Sequence, residues 1–149
     1  MRAAINHGPS PLIARSICSS KSDESNAVLE TGGGVLFAAN YFKNEAAWLV
    51  MNADILTTLP LDKMIAADNF LRAENENYIG TLAVTNRSTS RNLLFNQKGV
   101  LIGWKNNTTL EEKWADAKTS LNEATNNIVP KAFSGIQIIH ASFFTGTNF

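Results

Sequence analysis

A chain of 149 residues suffices for one domain with a single core, and 44% hydrophobic against 17% charged residues is ordinary globular composition. Thirteen basic residues balance thirteen acidic ones, and the net charge of zero excludes the basic field of a nucleic-acid binder. The single cysteine, Cys18, excludes an intrachain disulfide and points to a reducing, cytoplasmic setting, while no apolar run reaches the ~18 residues of a membrane span.

The first segment, Met1 to Asn26, has no clear period and holds Gly8, Pro9, Pro11 and a serine-rich run from Ser16 to Ser25. It reads as an irregular arm, residues 1–22, with room for one short strand from Leu12 to Cys18. It lacks the continuous apolar stretch of a signal peptide. The apolar residues from Val35 to Phe42 predict a buried helix after a Gly32-Gly33-Gly34 turn. Ala46 to Met51 is a continuous apolar run, as expected of a parallel strand buried on both faces. After Pro60, the residues Leu61, Met64, Ile65, Phe70 and Leu71 form one stripe of a helix, with Asp62 and Asp68 on its wet face. Tyr78 to Thr85 predicts a strand. Leu93-Leu94-Phe95 and Val100 to Trp104, joined by Asn96-Gln97-Lys98-Gly99, predict a β-hairpin. Thr109 to Thr125 is polar, a weak helix or an extended loop. Phe133 to Ile139 is a further strand. The alternation predicts an α/β fold with a mostly parallel sheet.

Two features carry chemistry. Leu29-Glu30-Thr31-Gly32-Gly33-Gly34 runs into a helix. Three glycines serve either as a flexible turn or as a cradle whose amides, with the helix N-terminus behind them, meet a phosphate. Asn52-Ala53-Asp54 ends an apolar strand. There Asp54 either caps the next turn or holds Mg²⁺ on a substrate phosphate. About eighteen residues separate the glycines from Asn52, room for one helix and one strand, so both features are expected on one crevice.

With these residues in view, Leu29 to Gly34 followed by Trp48-Leu49-Val50-Met51-Asn52-Ala53-Asp54-Ile55-Leu56 resembles the "ETGGG…VVNGDIL" pattern of sugar-1-phosphate nucleotidyltransferases. Mannose-1-phosphate guanylyltransferase-like and N-acetylmuramate-1-phosphate uridylyltransferase-like enzymes are the nearest in pattern. Thr89 to Phe95 with Gly103-Trp104-Lys105-Asn106 is similar to the family's next hairpin, and Phe133-Ser134-Gly135-Ile136-Gln137-Ile138-Ile139 to its "FTGIHVI" strand. The resemblance covers Asp23 to Phe144, so residues 23–149 read as part of such a domain.

The resemblance implies a Rossmann-like nucleotide-diphospho-sugar transferase fold, truncated at both ends. It also implies a reaction in which a nucleoside triphosphate and a sugar 1-phosphate join and pyrophosphate leaves. By motif, Asp54 would ligate Mg²⁺ with Asn52 beside it. Glu30, Thr31, Gly32, Gly33 and Gly34 would line the crevice, and Ser134 and Gly135 would contact the sugar. The family's central glycine is Ala53 here, and its opening triphosphate loop and late second aspartate have no match. Two alternatives therefore stand beside the enzyme: an inactive nucleotide-sugar-binding or regulatory module, and a partial chain needing a partner. An exposed sheet edge, and homodimerisation through it, is the expected consequence of truncation. No nucleic-acid or membrane partner is expected. His7 and His140 read as surface residues, Trp48 as core, Trp104 and Trp114 as packing, and Arg87 and Arg91 as solvated.

Overall fold

The computed structural model describes residues 31–39, 45–115 and 127–144. In chain order the elements are α1 (Thr31–Ala38), β1 (Ala47–Met51), α2 (Leu61–Glu74), β2 (Gly80–Thr85), β3 (Arg91–Phe95), β4 (Leu101–Asn106), β5 (Glu112–Trp114) and β6 (Val129–His140). A 3-10 turn, Ala141–Phe144, follows β6. Residues 1–22, the expected arm, lie outside the described residues.

The sheet is antiparallel throughout, which corrects the expected mostly parallel Rossmann-like arrangement. Its order is β1-β6-β3-β4-β5, with β2 also paired to β6, and every pairing is antiparallel. Two features of the chain impose this. The connections β2–β3, β3–β4 and β4–β5 are loops of five residues each, too short for the helical crossover that parallel neighbours need. And β6 inserts between β1 and β2: Ile138 is opposite Leu49 on one side and Thr81 on the other. β1, α2 and β2 thus form a strand–helix–strand unit whose strands point the same way. They never touch as a parallel pair.

β6 is the centre of the molecule. Its alternate residues Ala132, Ile136, Ile138 and His140 are buried, as the period of two requires when one face is covered. α2 supplies that cover. Met64, Ile136 and Ile138 form the core, with Ala47, Leu49, Ile55, Leu59, Leu61, Ile65 and Ala83 packed around it. On the opposite face Trp48 is buried beneath Phe144, ring centroids 4.7 Å apart. The apolar run of β1 is therefore covered on both sides, in an antiparallel setting.

α2 starts behind Pro60, whose carbonyl accepts the amides of Lys63 and Met64. Asp62 in its first turn and Arg72 in its last oppose the helix dipole favourably. Its buried stripe is not the expected one. Phe70 and Leu71 are exposed, while Asp68, expected in water, is 3% exposed.

The hairpin forms where expected. β3 and β4 pair around Asn96–Gly99, with Gly99 at φ 76° and the Asn96 carboxamide accepting the amides of Lys98 and Val100. Of the Thr109–Thr125 segment, Glu112–Trp114 is strand β5 on the edge of β4. Residues 116–126 lie outside the described residues.

Candidate functional site

Asn52 leaves the end of β1 just beyond Met51, which is paired with Ile136. Its backbone N–H continues the ladder by donating to the Gly135 carbonyl at 2.9 Å. Gly135 takes φ 75°, a left-handed conformation that favours glycine. A methyl there would come within 3.0 Å of the Asn52 carboxamide nitrogen and of the Ile55 side chain. The Asn52 motif and the Phe133-Ser134-Gly135 motif, some eighty positions apart in sequence, therefore meet at one corner. Ser134 is half-buried, and its Oγ is enclosed with no hydrogen-bond partner among the described residues. A buried hydroxyl without a partner costs free energy unless something supplies one.

Asp54 lies two residues beyond Asn52, in the turn that leaves β1, and is exposed. The Ile55 amide closes that turn on the Asn52 carbonyl, and Ile55 packs into the core. Asp54 is thus free in water on a loop anchored at both ends. Asp54 does not cap the following helix. α2 begins at Leu61 behind Pro60, and no side chain caps it.

The glycine motif is placed differently from expectation. Thr31, Gly32, Gly33 and Gly34 form the first turn of α1 itself, not a turn ahead of it. Helical backbone has negative φ, so the freedom of glycine is not used for a left-handed bend. Glu30 lies outside the described residues. Among the described residues, none of the hydrogen bonds of the Asn52–Gly135 corner reaches α1. The corner thus brings Asn52 against Gly135, with Asp54 and Ser134 beside them along the chain, and among the described residues no hydrogen bond joins the glycine motif to it.

A second polar cluster was not legible in the sequence. His140 Nε2 is 2.9 Å from Asp68 Oδ2, each side chain only 4% exposed. Asp68 Oδ1 also accepts the Thr81 hydroxyl at 2.7 Å and the Tyr78 hydroxyl at 3.2 Å. The two hydroxyls also lie within bonding reach of each other, and with one proton each they alternate between this contact and Asp68. The Tyr78 ring meets the His140 imidazole edge-on. Burial pushes the Tyr78 hydroxyl above its ordinary range; its bond to Thr81 pulls it back in part, and the Asp68 charge and the bond to Asp68 add smaller upward pushes. His140, expected at the surface, and Asp68, expected on a wet helix face, instead tie α2 to β6. The partners are 72 positions apart. The signal available was Asp68 on the same helical face as Met64 and Ile65, read as solvated because of its charge.

On the hairpin, Lys105 Nζ is 2.8 Å from Glu112, and this bond holds the exposed Glu112 carboxyl below its ordinary range. Lys113 lies over the Trp104 ring at 5.6 Å. Trp114 packs against Gly103, where a methyl would meet its ring at 3.1 Å. Both indoles have neighbours, as expected of packing residues.

Among the described residues no group of three or more histidines, cysteines, aspartates or glutamates is placed to hold a metal ion. No described helix is long and apolar enough to cross a membrane. Comparison with protein-family models, with curated proteins and with solved structures found no match.

Proposed function

We propose that the chain is a nucleotidyltransferase-family domain acting on a sugar 1-phosphate and a nucleoside triphosphate, with the Asn52–Gly135 corner as its sugar-phosphate site. One observation supports this reading above the others. Asn52 and Gly135, from two separate motifs, are hydrogen-bonded at 2.9 Å, with Asp54 exposed on the same loop. The reading rests on this corner and not on a parallel sheet.

Chemically, an oxygen of the sugar phosphate attacks the α-phosphorus of the triphosphate in line, a new P–O bond forms, and pyrophosphate leaves with the electron pair. Such a reaction needs positioning and charge stabilisation more than a covalent protein group. A lone exposed carboxylate suits Mg²⁺, which keeps several waters and takes its other ligands from substrate phosphates. Asp54 would hold it, and the ion would offset the phosphate charge. The chain's own part is to fix the corner. Gly135 lets the Asn52 loop approach β6 closely, the Asn52 carboxamide offers donors to phosphate or sugar oxygens, and the Ser134 hydroxyl awaits a partner.

The test is pyrophosphate release by the full chain, over a panel of nucleoside triphosphate and sugar 1-phosphate pairs with Mg²⁺. Turnover is expected for at least one pair, and Asp54→Ala should lower it by about 100-fold or more. Turnover that Asp54→Ala leaves unchanged would sink the proposal. One rival is a module that binds a nucleotide sugar without turnover. Calorimetric binding of a nucleotide sugar, with no pyrophosphate released from any pair, would select it.

A further inference from the structure

The loop between β2 and β3, residues 86–90, carries a cation that the proposal above leaves unused. Arg87 donates an N–H from Nη2 to the Phe133 carbonyl at 3.1 Å. Its positive charge thus rests on β6 one residue before Ser134 and two before Gly135, about 7 Å along an extended strand. A guanidinium has five N–H donors in one rigid plane, and a single carbonyl uses one of them. The side chain is exposed, and no carboxylate forms an ion pair with it among the described residues. Lys131, half-buried on the same stretch of β6, is tied by its Nζ to Asn86 Oδ1 at 2.6 Å and likewise has no carboxylate in the described ion pairs.

The chain as a whole is neutral. Two cations on one stretch of β6, with no carboxylate partner among the described residues, are therefore a local arrangement and not a reflection of overall charge. What would satisfy the unused Arg87 donors is an anion with several acceptor oxygens. A phosphate has them, and its geometry matches the guanidinium fork.

We infer that Arg87 binds the phosphate of a phosphorylated sugar at the Asn52–Gly135 corner, with Lys131 adding charge behind it. The inference rests on the nucleotidyltransferase reading and extends it, because it names the side chain by which the site tells a sugar phosphate from the free sugar. Tying one N–H to Phe133 fixes the guanidinium before the ligand arrives, which reduces the ordering cost of binding.

Titration calorimetry on the full chain, with a panel of hexose 1-phosphates and the matching free hexoses, tests this. Arg87→Gln keeps a planar N–H donor group and removes the charge; Arg87→Lys keeps the charge and removes the fork. The wild-type chain should bind at least one hexose 1-phosphate. Arg87→Gln should weaken that binding about 10-fold or more, as expected for a lost charge-assisted contact. Arg87→Lys should recover part of the affinity. The gap between wild type and Arg87→Gln should narrow as salt is raised, and affinity for the free hexose should not change. Equal affinity of wild type and Arg87→Gln for the phosphate would overturn the role of Arg87 and leave the nucleotidyltransferase reading intact. A parallel loss for free hexose would also overturn it, by showing that Arg87 only shapes the loop. A wild-type chain that binds no hexose 1-phosphate and releases no pyrophosphate sinks both readings.

Discussion

Asp68 accepts three hydrogen bonds, from the His140 ring nitrogen and the hydroxyls of Thr81 and Tyr78, in a place water does not reach. The donors depend on the acceptor as much as it depends on them. In Asp68→Ala, an imidazole and two hydroxyls would lose their common partner inside the fold. Leaving buried donors without their acceptor costs about 1–3 kcal/mol for each. The urea midpoint should fall accordingly with an unchanged slope; a shift no larger than that of a surface substitution would show that the cluster is dispensable. The cluster was illegible in the sequence for a physical reason. A charged residue on a helix is solvated by default, and only the tertiary arrangement of α2 over β6 reveals the donors that make its burial tolerable. The Asn52–Gly135 corner was legible because its residues sit in motifs whose order suggested a common site. Gly135 then supplied the conformation that lets the two meet.

At the scale of elements, the hairpin and α2 could be read because local chemistry decides them: a polar turn between two apolar runs, and a helix behind a proline. Sheet direction could not. The run Ala47–Met51 has the burial that parallel strands show, yet that burial comes from α2 beneath Leu49 and from Phe144 above Trp48. Covering both faces of a strand does not fix the direction of its neighbours, and the deciding fact is that β6 slots between β1 and β2. α1 shows the converse. Three glycines favour a turn by propensity, at about 1 kcal/mol each against helix, but the helix extends through them. The hairpin turn makes its own demand. Gly99 has φ 76° with open space where a side chain would go, so the cost of a methyl there is conformational and not steric. Gly99→Ala should destabilise by about 1 kcal/mol and Gly99→Asn by less, since asparagine tolerates the left-handed region. Denaturant midpoints for the pair would check this order, and an alanine variant as stable as wild type would refute it.

For the whole molecule, β6 concentrates the fold. It pairs directly with β1, β2 and β3, and β4 and β5 join through β3. Its Ile136 is fully enclosed at 0% exposure, against Met64 of α2. Truncating Ile136 to alanine removes apolar contact and leaves a cavity, at about 2–5 kcal/mol. The consequence should reach beyond its neighbours. Trp48 reports on β1, while Trp104 and Trp114 report on β4 and β5. If one core holds both regions, then in Ile136→Ala the indole fluorescence and the far-ultraviolet circular dichroism should move to a lower urea midpoint together, as a two-state transition requires. Keeping only Trp48 or only Trp104, with the other two replaced by phenylalanine, would separate the regions. Should the Trp104 signal keep its midpoint while the Trp48 signal falls, the β3–β4–β5 part would be a separate cooperative unit, and the long strand would link two units where a single fold is expected.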